Sequence, residues 1–215
     1  MFFTGELIRL QRLFQESNIR AIALKGPALA ASVYGNIGFR GFSDLDFLVR
    51  RDQVITAAHV LMNEKFISEF EPTAATQESF LNTQCEMVLR RDDSILVEIH
   101  WAFAPRYFGI NLCLEPIWER YDELPLDGLG FPTLLPADLF LALSIHGSKH
   151  CWNRLIWICD IAQILRTYHD LNWDDILSKG RKLGILRIIY LASALARDLL
   201  GVPPSAREIQ TGSSN

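Results

Sequence analysis

A chain of 215 residues, 49% hydrophobic and 21% charged, is long enough to bury a core as one large or two small domains and has the composition of a soluble globular protein. Its formal net charge of −4 leaves no uniformly basic face, which argues against wholesale nucleic-acid binding, although local basic pairs such as Arg50-Arg51 and Arg90-Arg91 remain. No run approaches the roughly 18 apolar residues of a membrane span, the N-terminus lacks the apolar core and cleavage site of a secretory leader, and Cys85, Cys113, Cys151 and Cys159 form no C-x-x-C pair, which fits a reducing cytoplasm.

In chain order, the spacing of Leu7, Leu10, Leu13 and Phe14 predicts an amphipathic helix over about residues 4–17. A short apolar strand follows in "IRAIALKG", ending at Lys25-Gly26. "PALAASVYG" reads as a helix with Pro27 in its first turn, where a missing N–H does no harm, and Gly35 as its stop. A strand begins near Ser43 in "GFSDLDFLV". Its period of two puts Asp44 and Asp46 on one face and Leu45 and Phe47 on the other. Two carboxylates about 6 Å apart at an effective dielectric near 20 repel by roughly 3 kcal/mol. Water with Arg40 or Arg50 is one way to offset this; a divalent cation with hard oxygen ligands, Mg²⁺ or Mn²⁺, is the other.

Beyond it, Asp52 is placed to cap a helix running to about Lys65, with Val54, Ala57, Ala58, Leu61 and Met62 at helical spacing. "KFISEF" is strand-like, and residues 72–82 read as a loop or short helix. "CEMVLRRDDSILVEIHW" predicts a hairpin about a polar turn at Arg91 to Ser94. In its second strand Val97 and Ile99 point one way, and Leu96, Glu98 and His100 the other. Should this strand lie beside the D-x-D strand, three carboxylates converge. Two divalent ions at such a cluster would stabilise the attacking and leaving oxygens of an in-line displacement at phosphorus.

From Pro136 the pattern turns helical, through "WNRLIWICDIAQILRTYH", "WDDILSKGRKLG" and "ILRIIYLASALARDLLG", with breaks at Asn172 and Gly184. The expected organisation is α+β: a small mixed β-sheet with helices on one face over residues 1–133, then a C-terminal helical bundle over 134–204 and a disordered polar tail over 205–215.

The blocks "ALKGPALAASVYGNIGFRGFSDLDFLV", "VEIHW" and "LSIHGSKHCWNRLIWICDIAQIL", over roughly residues 20–166, resemble the uncharacterised bacterial nucleotidyltransferase family of the DNA polymerase β-like superfamily, whose relatives include the kanamycin and lincosamide nucleotidyltransferases. Asp44, Asp46 and Glu98 match the D-x-D strand and the later third acid of that superfamily. Lys25-Gly26-Pro27 departs from it, standing where a Gly-Ser turn is usual. The resemblance implies a polymerase β-like core in which Asp44 and Asp46 hold a nucleotide-bound Mg²⁺, and join Glu98 at a second ion that activates the acceptor hydroxyl. Glu98 could instead act as general base. The Lys25-Gly26 turn would meet the phosphates, with Arg40 and Ser43 as further phosphate contacts and Lys149 reaching a phosphate from its helix. Attack on the α-phosphorus of a nucleoside triphosphate, ATP first among them, would transfer a nucleoside monophosphate to a small-molecule or peptide hydroxyl and release pyrophosphate.

Each residue also has a plainer reading. His146 and His150 resemble half a zinc site but lack the glutamate of H-E-x-x-H and a third ligand. Lys149 is equally a solvated helix-face lysine. Asp160 either packs against Arg154 or His150 or meets the acceptor, and His150 is a further acceptor candidate. His100 orients Glu98, covers the sheet edge or touches the acceptor. Cys151 and Cys159 read as small core residues. Two other functions compete: a non-catalytic nucleotide- or partner-binding module of the same fold, and a D-x-D glycosyltransferase.

Overall fold

The computed structural model describes residues 2–91, 95–110, 114–126 and 128–203. The chain divides into two compact units, Met1–Leu134 and Leu135–Asn215.

In the first unit α1 (Phe2–Glu16) buries Leu7, Leu10 and Phe14, the stripe its spacing predicts. Then come β1 (Ala21–Ala23), α2 (Gly26–Tyr34) and, after a 3-10 turn, β2 (Asp44–Val49). Pro27 sits in the first turn of α2, and Gly35 at φ 68° ends it. α3 (Val54–Asn63) covers the same face of the sheet as α1: Leu45, Phe47, Val97 and Ile99 share a core with Leu10, Phe14, Ala57, Ala58 and Leu61. Phe14 meets Phe47 edge to face, with ring centres 5.2 Å apart. Truncating either ring to alanine costs about 3–5 kcal/mol.

Several expected boundaries move. Asp52 does not cap α3; it lies in a 3-10 turn, Arg51–Gln53, and the helix starts without a side-chain cap. "KFISEF" supplies only β3 (Ile67–Ser68), because Lys65 takes φ 66° and the Phe66 amide returns to the Leu61 carbonyl, so both residues close α3. Residues 72–82 yield α4 (Gln77–Thr83). The hairpin forms as β4 (Glu86–Arg90) and β5 (Leu96–His100), with residues 92–94 of its turn outside the described residues. Past the hairpin, α5 (Glu115–Glu119), β6 (Asp122–Leu126) and β7 (Leu129–Thr133) have no counterpart in the sequence pattern. Pro125 and Pro132 hide these strands, and β6 tolerates its proline because it lies at the sheet edge.

The seven strands form one mixed sheet in the order β3-β4-β5-β2-β1-β7-β6. β2 runs parallel to β5 and antiparallel to β1.

The second unit is α6 (Pro136–Lys149), α7 (Leu155–Thr167), α8 (Trp173–Leu183) and α9 (Leu186–Leu200). Asn172 caps α8 by accepting the Asp175 amide at 3.0 Å, and Gly184 ends it at φ 69°. Phe140, Ile145, Ile161, Ile176 and Ile189 fill the unit's core, and Lys179 ties Asp138 to Asp175 at 2.6 and 2.7 Å. The expected tail, 205–215, lies outside the described residues. Among those described, no helix is long and apolar enough to cross a membrane.

Candidate active site

The parallel register of β2 on β5 sets Asp46 opposite Glu98 and Leu48 opposite His100; the antiparallel register of β4 on β5 sets Glu86 opposite His100. With a side-chain period of two, Asp46, Glu98, His100 and Glu86 share one face, away from the core residues Phe47, Val97 and Ile99. The turn after β1 is pinned to the same place. The Leu24 amide donates to the Asp46 carbonyl at 3.0 Å. Two residues on, Gly26 holds φ +59°, and a Cβ there would stand 3.0 Å from the Asp44 carbonyl oxygen. Only glycine allows this approach, and it carries Lys25 to the acids.

The Lys25 ammonium lies 2.6 Å from Asp46 Oδ1 and 4.0 Å from Glu98 Oε2. His100 Nε2 lies 3.0 Å from Asp46 Oδ1 and 3.2 Å from Glu98 Oε2, and its Nδ1 lies 3.3 Å from Glu86 Oε2. Asp46 is 1% exposed, and its second oxygen, Oδ2, is buried with no hydrogen-bond partner among the described residues. Oxygens of Asp46 and Glu98 and a nitrogen of His100 lie within 4.8 Å of one another. Asp44 stands outside that tight group on the preceding outward position of β2.

Burial penalises every charge here, and the outcome depends on partners. It raises the Asp44 carboxyl, and the charge of Asp46 raises it further against the pull of Lys25 and Arg40. For Asp46, Lys25 and His100 overcome burial and hold the carboxyl far below the usual range. Burial opposes charge on His100, yet hydrogen bonds to Asp46, Glu86 and Glu98 hold its pKa at about 10. Lys25 is likewise raised despite burial, by the charges of Asp46 and Glu98. The repulsion that the sequence pattern leaves to water, arginine or a divalent ion is thus offset in part from within, by Lys25 and His100. Arg50 turns elsewhere, to Glu115 at 3.1 Å.

Of the other residues singled out in the sequence, Arg40 is buried, donating to the Gly41 carbonyl at 3.4 Å, and Ser43 is exposed just before β2. Lys149 ends α6, His150 follows it, and Asp160 is buried on α7; all three belong to the second unit. There the rings of His146, His150 and Trp157 cluster, edge to face or tilted, with centres 4.8 to 5.3 Å apart. Cys151 is not a core residue: it is exposed, in the turn between α6 and α7. Cys159 is half-buried. Glu86 is the site residue that the pattern overlooks. Its signal is the hairpin register, which places residue 86 across from residue 100.

A family model described as "Uncharacterised nucleotidyltransferase" matches residues 1–201. No curated protein matches the chain. Among solved structures, the lincosamide antibiotic adenylyltransferase LnuA, lincomycin-bound, is similar at 14% identity and TM-score 0.50, over 74% of this chain and 94% of that one. ANT(2'')-Ia in complex with adenylyl-2''-tobramycin is similar at 10% identity and TM-score 0.58, over 86% and 98%. The solution structure of the antibiotic-resistance factor ANT(2'')-Ia gives 11% identity and TM-score 0.51, over 97% and 96%. At these identities the likeness is one of fold.

Proposed function

The chain belongs to the uncharacterised nucleotidyltransferase family, and on that premise we propose that it transfers a nucleoside monophosphate from a nucleoside triphosphate, ATP first among them, to a hydroxyl acceptor. The observation that carries this reading is the pairing of Asp46 with Glu98 in register on neighbouring parallel strands, with one buried Asp46 oxygen left unpartnered. An orphaned carboxylate oxygen beside a second carboxylate is a hard-oxygen donor set that suits Mg²⁺ or Mn²⁺. Asp44, Asp46 and Glu98 would hold such an ion, which when bound would neutralise charge developing on the phosphoryl oxygens.

The remaining work falls to this chain's own groups. Lys25 brings a cation, and the first turn of α2 brings backbone amides and the positive end of a helix, to the place where a triphosphate must lie. Arg40 and Ser43 flank the start of β2 as further phosphate contacts. In its alternative role, as general base instead of ion ligand, Glu98, half-exposed beside the buried Asp46, would accept the acceptor hydroxyl's proton as the oxygen attacks the α-phosphorus. The new P–O bond forms as the bond to the β-phosphate breaks, and pyrophosphate departs. The antibiotics named with the solved neighbours make small hydroxylated molecules the first acceptors to try. As thiols, Cys85, Cys151 and Cys159 fit a reducing cytoplasm.

One observation favours a second reading. The Lys25–Asp46 contact at 2.6 Å is also what a non-catalytic nucleotide-binding module would keep in order to neutralise its acids internally. Pyrophosphate release, measured with Mg²⁺ and each nucleoside triphosphate over a panel of hydroxyl compounds, separates the two. The enzyme reading expects turnover that falls about 10³-fold in Asp46→Asn, since several kcal/mol of charge stabilisation is lost. Metal-independent binding without turnover, unchanged by Asp46→Asn, selects the binding module. Release of UDP from UDP-sugars selects a glycosyltransferase.

A further inference from the structure

His100 is 5% exposed, and both of its ring nitrogens face carboxylates. Its Nε2 lies 3.0 and 3.2 Å from one oxygen of Asp46 and one of Glu98, so a single N–H is shared between two strands. That geometry spends Nε2 as a donor and leaves it no lone pair for an ion. It also works in one ring orientation only. What fixes the ring is the far nitrogen: Nδ1 at 3.3 Å from Glu86 Oε2, an oxygen that also lies 3.6 Å from the Cys85 thiol. Glu86 is held in turn by the β4–β5 register.

Resting on the nucleotidyltransferase reading above, we infer that Glu86 and His100 are positioning residues: Glu86 orients the imidazole, whose Nε2–H pins one oxygen each of Asp46 and Glu98 and thereby presents their other oxygens to a divalent cation. Partners one step behind the ligands act on metal affinity in this way, typically 10–100-fold.

The test is Mn²⁺ affinity of the full chain with a non-hydrolysable ATP analogue, followed by electron paramagnetic resonance, beside the analogue's own affinity without metal. Glu86→Ala should weaken Mn²⁺ binding about 10–100-fold and leave metal-free nucleotide binding unchanged. Glu86→Gln keeps an acceptor oxygen at the same reach and should stay within about threefold of the natural protein; Glu86→Asp keeps the charge but draws it back by one methylene and should resemble alanine. The Gln and Asp variants decide the matter alone if Glu86→Ala fails to fold. Natural Mn²⁺ affinity in Glu86→Asp and Glu86→Ala, or a glutamine variant as weak as alanine, overturns the positioning role while the function stands. A natural protein that binds no Mn²⁺ with nucleotide present defeats the function itself.

Discussion

The first unit contains two groups of clustered charge, and they are built differently. On α1, Glu6 accepts from Arg9 at 2.8 and 3.1 Å and from Arg91 at 2.9 Å, while Arg9 reaches on to Glu64. Both Glu6 oxygens are occupied. At the sheet face, the acids Asp44, Asp46, Glu86 and Glu98 face Lys25, His100 and, beside Asp44, Arg40. The second group differs in that one buried carboxylate oxygen, Asp46 Oδ2, has no hydrogen-bond partner among the described residues. A cluster that only supports the fold balances its charges. One that is to receive a cation, or a triphosphate with its cation, is left unbalanced where the ligand arrives.

The largest test of that contrast is Lys25→Met. Removing one partner of a buried pair strands the other charge, and costs about 3–5 kcal/mol. Urea unfolding should show a loss of this size, partly recovered by Mn²⁺, because a ligand that binds only the folded state stabilises it. Arg9→Met in the balanced group should cost about 1 kcal/mol and gain nothing from Mn²⁺. Equal losses in the two variants, or a Lys25→Met loss that Mn²⁺ leaves untouched, would erase the distinction.

A smaller effect sharpens it. Gly26→Ala forces a side chain into φ +59° with its Cβ 3.0 Å from the Asp44 carbonyl oxygen. A strained backbone of this kind costs about 1–3 kcal/mol. The displaced turn should also withdraw Lys25 from Asp46, so nucleotide affinity should fall in calorimetry. Gly35→Ala, at φ +68° with open space around its Cβ, controls for strain alone and should leave nucleotide affinity as it was.

How legible all this was in the chain depended on periodicity. Asp44, Asp46 and Glu98 stood out because an acid inside an apolar strand breaks a two-residue rhythm, and the rhythm itself told which neighbours shared its face. The helices of the second unit were equally plain in Asn172, Gly184 and their apolar spacing. β6 and β7 were hidden because Pro125 and Pro132 read as strand breakers. Lys25 carries no local sign that the Leu24 amide and Gly26 clamp its turn against Asp46, which is a tertiary fact. Glu86 needed the pairing register, a non-local fact, before it meant anything. Asp52 looked like a cap by residue type alone, and the 3-10 turn ahead of α3 removed the geometry that a cap requires.

The smallest effect concerns the balanced group, and its sign follows from linkage. Burial raises the Glu6 carboxyl, but hydrogen bonds and charges from Arg9 and Arg91 outweigh it and hold the folded pKa below the ordinary value. An unfolded glutamate titrates at about 4.3. With the folded value depressed, Glu6 binds a proton more readily unfolded than folded, so its contribution is complete above roughly pH 5 and fades as pH drops through the folded value. Because the pair is partly solvated, the effect is only about 1 kcal/mol. Glu6→Gln mimics the protonated acid. The stability gap between it and the natural protein should therefore be open at pH 7 and close toward pH 3 in denaturant titrations. A gap of constant width would mean that Glu6 supports α1 through packing rather than charge, and the two clusters could no longer be told apart by how their charges are balanced.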